Sequence, residues 1–170
     1  MNNRDLMIKW LVYGLGVLPV WILDALVLPR FPVFGVSPML LPTAVAAVAV
    51  LEGAFAGTGF GMAVGLFWEL AYPGGFGGLV IGMALAGMLA GAVSQFALQR
   101  SLLSCMLCSG GILVLLDGLR VAAGLFIGVS PLAPLLRVAV PEVLLSLVWT
   151  FPVWFLFHAL FRRVGGTRLA

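Results

Sequence analysis

The sequence predicts an all-α integral membrane protein, a single polytopic domain over residues 1–170 built as a bundle of six transmembrane helices. Three observations carry this. Hydrophobic residues make up 63% of the chain and 22 further positions are glycine, where soluble domains hold roughly 45–50% apolar residues. Charged residues are only 9%, against about 25% in a water-soluble domain, so they are too few to cover a solvated surface. Apolar stretches of membrane-crossing length also recur along the chain, punctuated by proline and glycine. A soluble enzyme and a disordered chain are both excluded, the latter because disorder needs low hydrophobicity and high charge. The net charge of +3 comes from nine basic residues scattered near segment ends. They form no stripe that follows a phosphate backbone, so nucleic acid is not an expected partner. The lipid bilayer is.

A helix crossing the hydrocarbon core needs about 20 residues. The segments fall at 9–28, 38–51, 53–71, 78–98, 102–126 and 138–161. Leu28-Pro29-Arg30-Phe31-Pro32 closes the first, because its prolines remove donors and push preceding residues out of helical geometry. That segment starts basic and runs apolar, as a leader does. Asp24-Ala25-Leu26 does not resemble a small-residue cleavage site, so an uncleaved helix is expected. The second segment is short and carries Pro42, which predicts a tilt, a kink or a partial crossing; as a re-entrant hairpin it would reduce the spans to five. It meets the third at Glu52 with almost no loop. Residues 72–78, rich in glycine with Pro73, signal the next turn. Gln99-Arg100-Ser101 and residues 128–134 form the remaining links, and Pro152 predicts a kink in the last helix.

Six crossings place both tails and the links at 52 and 99–101 on one side. That side holds Arg4, Lys9, Arg100, Arg162, Arg163 and Arg168, while the other has Arg30 and Arg137, with Arg120 near it. By the positive-inside rule both termini are expected in the cytoplasm. The tails are under ten residues each, so function is expected within the bilayer or on a partner's surface. Trp10, Tyr13, Trp68, Tyr72 and Trp154 lie near segment ends, as an interfacial aromatic belt does.

Gly53, Gly57, Gly61 and Gly65 recur every four residues and line one face of the third helix. Lipid tails give helices no hydrophobic reason to pair, so close backbone approach over small residues matters. The face serves packing within the chain, against the Gly78/Gly82 and Gly87/Gly91 faces of the fourth helix, or it receives a partner's transmembrane helix.

Ionisable residues at membrane depth cost roughly 2.5–3.5 kcal/mol each on insertion scales. Asp24, Glu69 and Asp117 all fall roughly 22–24 Å along their helices from the cytoplasmic side, at 1.5 Å per residue. With Glu142 and Arg120 they form a predicted outer charged layer, which Arg30 and Arg137 also reach; Asp117 and Arg120, three apart, share a helix face. The layer either pairs at the interface or lines an outward-open polar cavity. No catalytic residue, metal site or cofactor is expected. The GxGD and GxSG patterns of intramembrane proteases are absent. Cys105-Met106-Leu107-Cys108 lies within a helix without further ligands at zinc spacing, and is expected to pack. His158, a turn from Arg162, is expected at the interface.

The stretch from Ala56-Gly57-Thr58-Gly59-Phe60 through Leu66-Phe67-Trp68-Glu69-Leu70 to Gly74-Gly75-Phe76-Gly77 is a glycine-led helix ending in an acid, then a glycine-rich turn. Together with Ser37-Pro38-Met39-Leu40-Leu41 and Trp149-Thr150-Phe151-Pro152-Val153-Trp154 closing on Arg162-Arg163, it resembles the rod shape-determining protein MreD family. That family usually has aspartate where Glu69 stands. The resemblance implies a non-enzymatic scaffold subunit of the bacterial cell-elongation machinery in the inner membrane. Its partners would be MreC, MreB, RodA and RodA's transpeptidase, and its role to direct lateral peptidoglycan synthesis and maintain rod shape. It also implies a bundle similar to the substrate-capture subunits of energy-coupling-factor vitamin transporters, which supplies the alternative function. Those subunits dock through an AxxxA face in helix one, where this chain has Gly14 and Gly16 and no such alanine pair.

Overall fold

The computed structural model describes residues 3–30, 36, 38–71, 78–96, 101–126 and 132–164. Six α-helices follow one another: α1 (Asn3–Ile22), α2 (Leu41–Glu52), α3 (Ala54–Ala71), α4 (Gly78–Phe96), α5 (Leu102–Phe126) and α6 (Leu132–Val164). Beyond α1 the chain stays helical, as a π-helical turn over Leu23–Val27 and a 3-10 turn over Leu28–Arg30. Among the described residues, Met7–Arg30, Gly78–Gln95 and Val140–Val164 are long and apolar enough to cross a bilayer. The chain is a helical membrane protein.

Each predicted segment corresponds to a helix, although the first starts at Asn3 rather than 9. The second is 12 residues, about 18 Å long, so it spans only part of a core of about 30 Å, as its length predicts, and it runs back from the level of Asp24 to that of Lys9. Pro42 does not kink it. The proline sits in the first turn, where its missing N–H has no intrahelical partner to lose. The sixth helix starts at Leu132 rather than 138, so Pro134 falls in its opening turn for the same reason. The turn at 72–77 and most of the link after α5 lie outside the described residues.

The short α2 is the axis of the bundle. Every residue from Leu41 to Glu52 is buried, the outermost at 5% exposure. The other five helices all touch it. A helix without a polar face needs neighbours on all sides, and alanine and valine dominate α2 so that those neighbours come close. Gly53 alone joins α2 to α3. Its φ of 101° lies in the left-handed region that favours glycine, and its N–H donates to the Ala49 carbonyl at 2.8 Å. A side chain there would also strike Gln95.

The glycine stripe on α3 faces inward. A methyl on Gly57 would sit 2.6 Å from both Ala49 Cβ and the Gly87 carbonyl oxygen, and one on Gly65 would sit 2.8 Å from Val80 Cα. One on Gly61 would strike the Met83 carbonyl, and Gly91 meets the Ala54 backbone. Gly53, Gly57, Gly61 and Gly65 are therefore taken up by packing within the chain, and the alternative of a partner's helix on that face finds it closed. Tyr13, Phe60 and Phe157 tie α1, α3 and α6 together beside α2, with ring centroids 6.0–6.3 Å apart. Tyr13 (1% exposed) and Trp154 (5%) are core residues rather than members of a lipid-facing belt. Burial gives the Tyr13 hydroxyl an internal partner, and Trp154 stacks on His158. Tyr72 lies outside the described residues.

Candidate functional site

Both ends of the axial helix carry charge. At its start the N–H groups of the first turn have no helical acceptor, and in hydrocarbon water cannot supply one. The Leu40 N–H donates to Asp24 Oδ1 at 2.9 Å, and the Met39 N–H to Ser146 Oγ at 2.8 Å. Asp24 reaches this position because it lies in the π-helical turn after α1, where the wider winding re-aims side chains. Ser146 in turn donates to the Glu142 carbonyl at 2.7 Å. Thr150, two turns after Glu142, donates to the Ser146 carbonyl and lies 3.3 Å from Ser109 of α5. Glu142, Ser146 and Thr150 thus form a buried polar stripe on α6.

Glu69 repeats the device. Its Oε1 accepts the Leu79 N–H at 3.2 Å, in the first turn of α4. A carboxylate at a helix start also meets the positive end of the helix dipole. Two of the predicted outer acids therefore hold the first N–H groups of the next helix. Asp117 (5% exposed) and Glu142 (6%) are buried on α5 and α6. The Arg120 and Arg137 side chains lie outside the described residues, and Arg30 is exposed. Among the described residues the layer is thus divided between helix starts and the α5–α6 pair.

Replacing Asp24 by alanine removes the acceptor at the start of α2. A cap of this kind contributes about 0.5–2 kcal/mol. Asp24→Ala is expected to lower the unfolding midpoint in detergent, with Asp24→Asn retaining most of the stability because its amide oxygen still accepts. Equal loss in both variants would mean that the charge matters, and the N–H contact does not.

At the other end of α2, Lys9 Nζ lies 2.6 Å from Glu52 Oε2 and the Tyr13 hydroxyl donates to Glu52 Oε1 at 2.7 Å. All three residues are buried. This network was not expected from the sequence, where Lys9 serves as a topology marker and Glu52 as a link. A signal was present. Lys9 and Tyr13 are four apart on one helix face, and Glu52 has no loop that would carry it into water.

The clefts between helices are of a different character. Ala86, Ala90, Leu107 and Ile112 wall one between α4 and α5. Trp10, Gly14, Phe60 and Phe67 line one between α1 and α3. Cys105 and Cys108 are buried beside the first, with Cys108 Sγ 3.7 Å from the Ala90 carbonyl oxygen, so they pack as expected. Comparison with protein-family models, with curated proteins and with solved structures finds no match to this chain.

Proposed function

We propose that this protein is a non-enzymatic scaffold subunit of the bacterial cell-elongation machinery, of the MreD kind. It sits in the inner membrane with both termini in the cytoplasm. It binds MreC, works with MreB, RodA and RodA's transpeptidase, and helps direct lateral peptidoglycan synthesis. Its bundle is of the type used by vitamin-capture subunits, here put to a different use. The observation that supports this reading over vitamin capture is the use made of the outer acids. Asp24 and Glu69 hold backbone N–H groups at the starts of α2 and α4, so their carboxylates serve the fold instead of a ligand. The described α4–α5 and α1–α3 clefts are walled by apolar side chains. Such surfaces suit hydrocarbon and other helices.

The test is affinity purification of the tagged full chain in mild detergent, with mass spectrometry of proteins and small molecules. MreC together with wall synthases is the expected recovery. Paired ATPases with a transmembrane coupling subunit, or a stoichiometric vitamin, would overturn the scaffold reading in favour of transport.

A further inference from the structure

The helices around α2 differ in height. The apolar lengths of α3 and α4 are Ala54–Leu70 and Gly78–Gln95, about 26 and 27 Å at 1.5 Å per residue. Those of α1 with its terminal turns and of α6 are Met7–Arg30 and Val140–Val164, 24 and 25 residues, or about 36 and 38 Å. A hydrocarbon core of about 30 Å is therefore taller than the first pair and shorter than the second. Tilt brings a long helix down to the core, but it only lowers a short one further. At the foot of α2 the two pairs share a level, because Gly53 alone separates Glu52 from α3 and Glu52 pairs with Lys9 of α1. At the other end α3 carries a carboxylate, Glu69, two residues before it stops, and that charge holds the first turn of α4. The exposed face between Phe55 and Leu70, with Met62 and Leu66 along it, is about 23 Å tall. A chain that leaves a helix cannot stay exposed to hydrocarbon, so the polar interface has to follow these helix ends.

We infer that the α3–α4 face binds phospholipids of short acyl chain and holds the bilayer thinner there than along α1 and α6. A short apolar helix is matched by thinning the lipid next to it, at a fraction of a kcal/mol per Å, and a shorter chain removes that cost. The α1–α6 pair packs through Gly16 against Phe157 and Leu160 and meets a core of full thickness, so the hydrocarbon slopes around one molecule. The thin face follows from helix lengths and stands whether or not the scaffold reading does.

The experiment places the full chain in vesicles of two phosphatidylcholines in equal parts, one with fourteen-carbon and one with twenty-two-carbon monounsaturated chains. A fluorescent amino acid is incorporated at Met62 on α3 or Leu85 on α4 and, as controls, at Leu15 on α1 or Val148 on α6, all of them exposed. One lipid at a time carries bromine, which quenches on contact and so reports which chain lies beside the probe. At Met62 and Leu85 the short-chain lipid is expected to be preferred roughly threefold. At Leu15 and Val148 that preference is absent or reversed. The unfolding midpoint of each labelled chain is compared with wild type, and a site that shifts it is exchanged for Leu66 on α3 or Ile81 on α4, which are also exposed. Equal occupancy by the two lipids at the α3 and α4 sites, or a preference for the long chain, overturns the thin face. So does an equal short-chain preference at all four sites, because the thinning would then belong to the whole bundle and owe nothing to α3 and α4.

Discussion

Lys9→Met is expected to destabilise the fold by about 3–5 kcal/mol, the cost of leaving one member of a buried ion pair without its counter-charge. Glu52 is enclosed at the foot of α2, where Lys9 and Tyr13 both reach its carboxylate. Water cannot replace the ammonium there. Tyr13→Phe removes one hydrogen bond to a charged group and should cost about 1.5–3 kcal/mol. The double variant Lys9→Met/Glu52→Gln should recover much of the loss, because no net charge stays buried and the glutamine oxygen still accepts from Tyr13. Denaturant titration in detergent micelles, followed by tryptophan fluorescence, reads all three. A Lys9→Met protein as stable as wild type would mean that the pair is solvated and contributes little.

Gly57→Leu and Gly61→Leu are expected to prevent correct folding, while Gly59→Leu leaves it intact. The three positions lie within five residues on the same helix and differ only in the face they occupy. At Gly57 and Gly61 the first added carbon already meets the α4 backbone, which cannot yield as a flexible side-chain tip can. Even Gly57→Ala should cost about 1–3 kcal/mol by overpacking. Gly59 has open space instead. Monodispersity in size-exclusion chromatography, with the unfolding midpoint, distinguishes the cases. Equal behaviour of Gly57→Leu and Gly59→Leu would mean that α3 and α4 do not pack on the glycine stripe.

The glycine stripe marks how far local patterning reaches. Its four-residue period was visible in the sequence, and so was half of its complement in α4: Gly87 and Gly91 meet α3, whereas a methyl on Gly78 meets nothing and one on Gly82 faces Leu116 of α5. That the stripe closes on α4 and leaves no room for a partner shows only in the tertiary structure, where Gly57, Gly61 and Gly65 meet the backbone at Gly87, Met83 and Val80. The outer acids were harder to read. Their depth could be counted along each helix, but depth does not say what lies opposite. Asp24 was expected among arginines and instead meets the Leu40 N–H, sixteen residues away. Glu69 likewise meets the start of α4. Tyr13 and Trp154 were assigned to the lipid interface because they lie near segment ends. Their burial depends on Glu52 and His158, which arrive from elsewhere in the chain or from the next turn.

By itself the sequence determined that this protein is a helical membrane protein and, within a few residues for four of the six elements, where its helices lie. The reason is that hydrocarbon satisfies no backbone group, so every apolar segment must bond to itself as a helix, and the signals for that are local. Only the tertiary structure decided that the shortest segment is the axis. Leu41–Glu52 has a composition that a lipid-facing helix could share. What encloses it is that five other helices reach it and that its ends find Asp24 and Lys9. Those partners are set by which elements end at the same depth, a long-range relation that no window along the chain contains.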